Sequence, residues 1–523
     1  MENFKTSQYN SVQQENQLYT LPQLLNTKQP YKEFRNLYDP DLDVVENEMI
    51  RKIQGSLVGL AVGDALGASV EFRSYEYLQQ HPVRDMQYGG TWGLQAGQWT
   101  DDTSMALCLA ASLIIKGKSD IYDQFTRYKR WYRNGYMSST GKCFDIGNST
   151  RQAITDFENR QRLISGKMME RNISNNNNIF PPTDDMIAFY FDQFGVDAKC
   201  GLSDAAGNGS LMRLTPIPSF FFQSYENVKQ YLDDTTKLTH GDQRAIDACQ
   251  FYAGLIWYAL NGMSKKKLLD PDFYRDYLNL SLHKDVLRIA RGSYKKKKGY
   301  ENGIRGTGYV IHSLEAALWA FYNDENSFEK GVLDAVNLGD DTDTTAAIYG
   351  QLAGAMYGIE SIPDRWVRQL FEDQFIMTIA KGLYVKGKQF SNGQYKSAWL
   401  DGDEQQYYQA NINNLQWNER KSNEGSTTSS DRDTNKYKAS YNYHDTSSNS
   451  SSRHHRSVNR DSTFHRGQQA RANNTLRKAQ SAHTNRSHRH QFVNSKRASR
   501  RNGYEKVITI SQTKQRDKVI TEQ

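Results

Sequence analysis

Two short acidic stretches constrain this chain more than any other feature. One is Trp99-Thr100-Asp101-Asp102-Thr103-Ser104; the other, about 240 positions later, is Gly339-Asp340-Asp341-Thr342-Asp343-Thr344-Thr345. Each opens directly onto an apolar run, Met105 to Ala111 after the first and Ala346 to Ala353 after the second. Ionised carboxylates at the edge of a core need partners, because desolvating them unpaired costs several kcal/mol per ion. Hardly any Lys or Arg lies beside either stretch, which points to a metal ion as the partner. The donors on offer are all oxygens, the chemistry of Mg²⁺, Mn²⁺ or Ca²⁺ rather than Zn²⁺ or Cu²⁺. One Asp-Thr pair before a helix means only an N-cap. Two stretches, each richer than a cap requires, argue for a shared cation site. Thr100, Asp101 and Asp102 form one side, and Asp341, Asp343 and Thr344 the other. Asp340 is an extra carboxylate able to hold a ligand in place.

Between about 45 and 385 the spacing of apolar residues is helical. Ile50, Ile53, Leu57 and Leu60 recur at three- and four-residue steps, and Gly59, Gly63 and Gly67 follow at four-residue steps. Such a row of small residues lets another helix approach closely. Helices are predicted at 103–116, 121–133, from about Ser149, 245–260, 310–321, 327–338 and around 366–384. Alternating β-type runs are nearly absent, and no fixed repeat is visible. The expectation is an all-α fold: one large orthogonal helical domain over 46–400 with a binuclear metal cleft, flanked by disordered tails. Asn-rich residues 160–182 read as a surface insertion.

The ends differ from this body. Residues 1–45 are polar and read as a flexible leader. Residues 401–523 carry 22 Lys and Arg against 12 Asp and Glu, whereas the preceding 400 residues are nearly balanced at 44 against 47. Ser, Asn, His and Arg dominate 422–500, a composition that cannot bury enough apolar surface to order itself. This basic tail suggests weak contact with nucleic acid or an anionic surface. Cys108, Cys143, Cys200 and Cys249 form no C-x-x-C, consistent with a reducing compartment, cytoplasmic or nuclear. No apolar run is long enough for a membrane span.

Taken together, Gly63-Asp64-Ala65-Leu66-Gly67 with Glu71-Phe72, Trp99-Thr100-Asp101-Asp102-Thr103, Asp145-Ile146-Gly147, Gly207-Asn208-Gly209-Ser210-Leu211-Met212-Arg213, Thr239-His240 and Gly339-Asp340-Asp341-Thr342-Asp343-Thr344 resemble the ADP-ribosylglycohydrolase family. The motifs fall in the family's order over about residues 50–385. The resemblance implies a metal-dependent hydrolase with two Mg²⁺ or Mn²⁺ ions, cleaving the N- or O-glycosidic bond that joins ADP-ribose to a protein side chain or a small conjugate. It implies metal ligands Thr100, Asp101, Asp102, Asp341, Asp343 and Thr344. It gives catalytic carboxylates Glu71, Asp102 and Asp145. The substrate-binding residues it implies are Asp145, Gly207, Asn208, Gly209, Ser210, Met212 and His240. The chain is expected to act as a monomer on an ADP-ribosylated protein or conjugate. A non-catalytic ADP-ribose binder with a nucleic-acid-binding tail is the alternative, and phosphoester cleavage is a further chemistry open to two such ions. Asp64 reads as a buried structural carboxylate bonding backbone N–H groups, and Trp92 and Trp99 as packing residues on which an adenine could also stack.

Overall fold

Two helices that are buried all round form the axis of the protein. Helix α1 (Glu48–Gly67) buries 16 of its 20 residues and α10 (Thr342–Tyr357) 14 of its 16. A helix without a polar face belongs in the middle of a domain. They run antiparallel and touch through a seam of small residues: Gly55 meets Gly354, Gly59 meets Gly350, Gly63 meets Ala346 and Gly67 meets Asp343. A Cβ added to Gly59 would stand 2.5 Å from the carbonyl oxygen of Gly350. The two backbones therefore touch where side chains would otherwise intervene.

This computed structural model describes Phe34 and residues 47–174, 184–193 and 195–393. Between α1 and α10 in sequence come α2 (Asp101–Lys116), α3 (Ile121–Asn134), α4 (Asn148–Ser174), α5 (Asp184–Gln193), α6 (Tyr225–Lys237), α7 (Gln243–Leu260), α8 (Val310–Asn323) and α9 (Phe328–Val336), and α11 (Asp373–Ser391) closes the series. Helices α7, α8 and α9 pack on α10, while α11 packs on α1 and α2. Helices α3, then α4, then α5 extend outward from α2. Outer helices show the expected asymmetry: α3 buries Phe125, Tyr128 and Trp131 at three-residue steps. It starts at Asp120, whose side chain accepts from the Asp123 N–H, and stops at Gly135 with φ 69°, a left-handed cap that suits glycine. The described residues contain isolated β-bridges but no strand, so the chain is all-α as its sequence indicates. No described helix is long and apolar enough to cross a membrane.

Two differences from the sequence reading are physical. Residues 160–174, expected within a surface insertion, continue α4, because Phe157, Gln161, Ile164 and Met168 fall on one buried face. Phe34, from the expected leader, is fully buried with its ring edge-on to Phe375 at 5.9 Å. The rest of the leader, residues 175–183 and the basic tail lie outside the described residues.

The seam sets the loops that matter for chemistry. Buried Gln351, the residue after Gly350, accepts from the Thr215 N–H at 2.9 Å and donates to the Met212 carbonyl at 2.7 Å. That pins residues 211–215 beside the middle of α10. Replacing Gly350 with Ala should cost more than about 3 kcal/mol, since backbone rather than a flexible side chain blocks the added methyl. Gly166→Ala, in an exposed stretch of α4 with nothing within 4 Å of the new Cβ, should instead gain about 0.5–1 kcal/mol. Urea denaturation of both variants checks the pair.

Candidate active site

Antiparallel packing places the C-terminus of α1 against the N-terminus of α10, and α2 begins at the same point. The first-turn carboxylates of α2 and α10 therefore converge. Thr344 Oγ1 lies 3.3 Å from Asp102 Oδ2 across 242 positions of sequence. Two helix N-termini with their positive dipole ends favour negative charge there.

Asp64, on the last turn of α1, organises the start of α2. Its Oδ1 accepts from the Thr100 N–H at 2.9 Å and lies 3.0 Å from Thr100 Oγ1. Its Oδ2 accepts from the Thr103 N–H at 3.0 Å and the Thr103 hydroxyl at 2.6 Å. Thr100 makes no side-chain cap bond of its own, so a carboxylate from another helix caps α2. An ionised carboxylate has about four acceptor positions, and each of Asp64's faces a donor, three of them its own and the fourth the Thr100 hydroxyl it shares with Asp102. Asp64 has an oxygen within 4.8 Å of Asp102 and Asp343, but this saturation makes it a clamp rather than a ligand.

Asp102 is the opposite case. Its Oδ2 meets Thr344 and Thr100 hydroxyls, the latter at 3.1 Å, yet its Oδ1 is buried with no partner. The single Thr100 proton serves either Asp64 or Asp102, never both at once. An orphaned buried carboxylate oxygen requires a proton or a cation. Glu71, Asp341 and Asp343 form a second group with ligand atoms within 4.8 Å of one another, and Asp343 belongs to both groups. This hard-oxygen donor set fits divalent cations of the Mg²⁺ class.

Above these groups lies a cleft of about 300 Å³, lined by Glu71, Phe72, Asp101, Asp145, Gly147 to Thr150, Gly207 to Gly209, Met212, His240, Gly308, Asp341 and Thr344. Of the residues singled out in the sequence, Glu71, Asp101, Asp145, Gly207, Asn208, Gly209, Met212, His240, Asp341 and Thr344 thus share one cavity. Thr100, Asp102 and Asp343 are buried and do not line it, so Asp102, one of the expected catalytic carboxylates, is out of reach of a ligand in the cleft. Ser210 does not line the cleft: it turns inward and Cys249 Sγ donates to its hydroxyl at 3.4 Å.

Loops hold the walls. The Phe72 N–H donates to the Asp340 carbonyl at 2.7 Å, and the Asp340 N–H to the Arg73 carbonyl at 2.8 Å. Phe72, Asp340 and Asp145 all have left-handed backbone, φ 65°, 63° and 59°, a conformation that costs a non-glycine residue and concentrates at functional sites. Asn208 Nδ2 donates to Asp341 Oδ2 at 2.8 Å and to Ser313 Oγ at 3.0 Å. The Trp92 indole N–H donates to Glu71 Oε2 at 2.9 Å while its ring leans on Phe144, centroids 5.7 Å apart. Sequence reading treated Trp92 as packing and passed over Phe72, Asn148 and Thr150. An indole twenty-one residues from its carboxylate, across a glycine-rich loop, leaves no local signal.

Electrostatically the cluster is overloaded. Burial first, then neighbouring carboxylates, raise Asp101, Asp102 and Asp343 well above the usual carboxylate range. Burial and Asp341 push Glu71 up to about 7 against the Trp92 hydrogen bond, and burial with Glu71 and Asp341 pushes Asp145 to about 9. Glu71 and Asp145 each count the other among the causes of their shift, and their raised values favour holding a proton between them. Raised folded-state values stabilise the protein below the unfolded pKa and lose that contribution as pH rises through about 7 and about 9. In EDTA the melting temperature should therefore fall between about pH 5 and pH 9, and added Mg²⁺ should raise it most at the alkaline end. Thermal scans check this; an EDTA curve that rises with pH, or is flat, contradicts the overload.

Comparison with known proteins identifies the family. A family model described as ADP-ribosylglycohydrolase matches residues 46–392. An "ADP-ribosylarginine hydrolase Tri1" of Serratia proteamaculans is 38% identical over 348 residues, 66% of this chain and 83% of that protein. An "ADP-ribosyl-[dinitrogen reductase] glycohydrolase" of Rhodospirillum rubrum is 27% identical over 60% of this chain and 89% of that one. Among solved structures, a chain of an "ADP-ribosylglycohydrolase-related protein complex" is 35% identical with a TM-score of 0.49, covering 65% of this chain and 99% of that one. This chain belongs to the ADP-ribosylglycohydrolase family.

Proposed function

We propose that this protein hydrolyses the N-glycosidic bond joining ADP-ribose to an arginine side chain, with two Mg²⁺ or Mn²⁺ ions held by Thr100, Asp101, Asp102, Asp341, Asp343 and Thr344. The observation that carries this is the pair of carboxylate groups sharing Asp343 beside a cleft that the Gly207–Gly209 loop also lines. The arginine acceptor is supported by the printed names of the Serratia relative and of a Pseudomonas putida relative, also called "ADP-ribosylarginine hydrolase Tri1", 37% identical over 80% of its length.

The ions supply positive charge that offsets the carboxylates and anchors ribose hydroxyls. Everything else falls to the chain. Asn208 holds Asp341 in place through its 2.8 Å hydrogen bond. The Gly207–Gly209 backbone offers close approach to the diphosphate because two of its residues have no side chain and Asn208 spends its own on Asp341 and Ser313. Glu71 and Asp145 share the acid–base work. Breaking the bond between ribose C1′ and the guanidino nitrogen leaves a developing oxocarbenium ion. The protonated member of the pair gives its proton to the departing nitrogen. Water then adds its oxygen to C1′ and its proton to the carboxylate left behind, restoring the pair. Trp92 holds the Glu71 carboxyl in the cleft lining through its indole N–H.

Arginine- and serine-ADP-ribosylated peptides, with and without EDTA, test the reading by release of free ADP-ribose. Release from the arginine peptide alone, abolished by EDTA and restored by Mg²⁺ or Mn²⁺, is expected. Asp343→Ala should lower turnover by about 10³-fold or more with the fold intact, and full activity in that variant refutes the site. Glu71→Gln should lower kcat by about 10²–10⁴-fold with little change in KM, as loss of a proton-transfer group does. No release from either peptide favours the non-catalytic alternative.

A further inference from the structure

Arg213 closes the Gly207–Arg213 motif, and the reaction scheme above gives it no task. It is 1% exposed. No described residue forms an ion pair with it; its partners are a carbonyl, a hydroxyl, a thioether and a ring. Nη1 donates to the Gly209 carbonyl at 2.9 Å and lies 3.7 Å from Met105 Sδ, and Nη2 donates to Thr239 Oγ1 at 2.7 Å. The guanidinium stands over the Tyr128 ring at 4.7 Å, and Nε has no partner. A buried cation without a carboxylate is expensive. A fold that keeps one uses its rigid donor fork to aim other groups.

The group aimed is His240. Thr239 Oγ1 lies 2.7 Å from His240 Nδ1. The hydroxyl already accepts from Arg213 and has one proton to give. Thr239 is fully buried, so that proton has to be used. His240 Nδ1 is its available acceptor. The ring proton must then sit on Nε2, the edge turned to Gly207 and Gly209, where a Cβ on either glycine would come within 3.3 Å of it. Those glycines and His240 line the cleft together. Arg213 also grips the opposite side of the same contact, through the Gly209 carbonyl.

We propose that Arg213 and Thr239 are positioning residues that lock His240 in the Nε2–H form, making it a fixed hydrogen-bond donor facing the cleft beside the Gly207–Gly209 loop. The ligand class it suits is an anionic or oxygen-rich one, a phosphate or ribose oxygen, and this part rests on the ADP-ribose reading. Burial, then Arg213, holds the imidazole down at about 3, so it stays neutral through the physiological range and acts as a donor without trading protons.

The test uses the full chain labelled with ¹⁵N. Long-range ¹H–¹⁵N spectra report which ring nitrogen is protonated, and the His240 signals are those lost in His240→Gln. The wild type should show Nε2–H only. Thr239→Val, which keeps the shape and removes the hydroxyl, should mix or reverse the tautomers and weaken ADP-ribose binding by calorimetry about tenfold, the scale of one lost hydrogen bond. Thr239→Ser should restore both. Arg213→Lys keeps charge without the fork and should disturb the tautomer in the same direction. Wild-type protein with its proton on Nδ1, or a Thr239→Val chain that keeps both tautomer and affinity, overturns the assignment. Wild-type protein with the Nε2–H form that takes up no ADP-ribose overturns the substrate reading and upholds the brace.

Discussion

The backbone contact between α1 and α10 is the constraint from which the rest follows. Helices with ordinary side chains pack about 8–10 Å apart. Glycines at 55, 59 and 63 facing Gly354, Gly350 and Ala346 remove the side-chain layer. At the end of that seam Gly67 lies directly against the backbone of Asp343, and the Thr342 hydroxyl donates to the Gly67 carbonyl at 2.8 Å. The position of Asp343 is thereby set by backbone atoms of α1 rather than by rotamers. Asp64, three residues before Gly67, carries the same reference frame to α2 through its four hydrogen bonds. Carboxylates from three helices are thus indexed to a single seam. Geometry held to a few tenths of an ångström is what a cation site needs and what loops alone rarely give.

That geometry concentrates negative charge in a poorly solvated place, and the protein does not neutralise it with basic side chains. It sorts the carboxylates instead. Asp64 is saturated with donors and is pushed only to about 6, with its hydrogen bonds opposing burial. Asp102 keeps an oxygen bare. Asp145 and Glu71 have one another and an indole. Hydrogen-bond completeness therefore separates a structural carboxylate from a ligand-binding one where burial and position in the sequence do not. Both Asp64 and Asp102 are fully buried and both sit beside Thr100.

Much of this was legible in the chain itself. The four-residue glycine spacing announced a close helix approach, and the two acid- and hydroxyl-rich stretches announced carboxylates that come together. Both follow from local pattern: a helix has a fixed period, and carboxylates entering a core demand partners. The partner of each small-residue row was not legible, because period shows that a helix comes close and not which one. Composition misled at 160–174, where polar and Asn-rich surroundings hid an apolar step of Phe157, Ile164 and Met168 that α4 buries. Ser210 was read as part of a contiguous binding loop. The chain turns after Gly209, with Leu211 and Met212 N–H groups donating back to the Asn208 carbonyl, so neighbours in sequence face opposite ways.

The lining of the cleft has two parts of different character, and this division has a chemical reason. One part carries the carboxylates and is indexed to the rigid seam. The other, Gly207–Gly209 with His240, is almost free of charge and is held from behind by Arg213 and Gln351. A polyanionic ligand approaching the acidic part unaided would be repelled; the neutral part offers N–H donors at the cost of no further desolvated charge. Arg213 could have faced the ligand directly, but a guanidinium in the cleft would have paired with Asp101 or Asp145, taking Asp101 from its proposed ligand role and Asp145 from its proposed proton transfer. Holding the arginine behind the neutral part, and expressing it through a hydroxyl and a neutral imidazole, supplies polarity toward the ligand without supplying a competing ion.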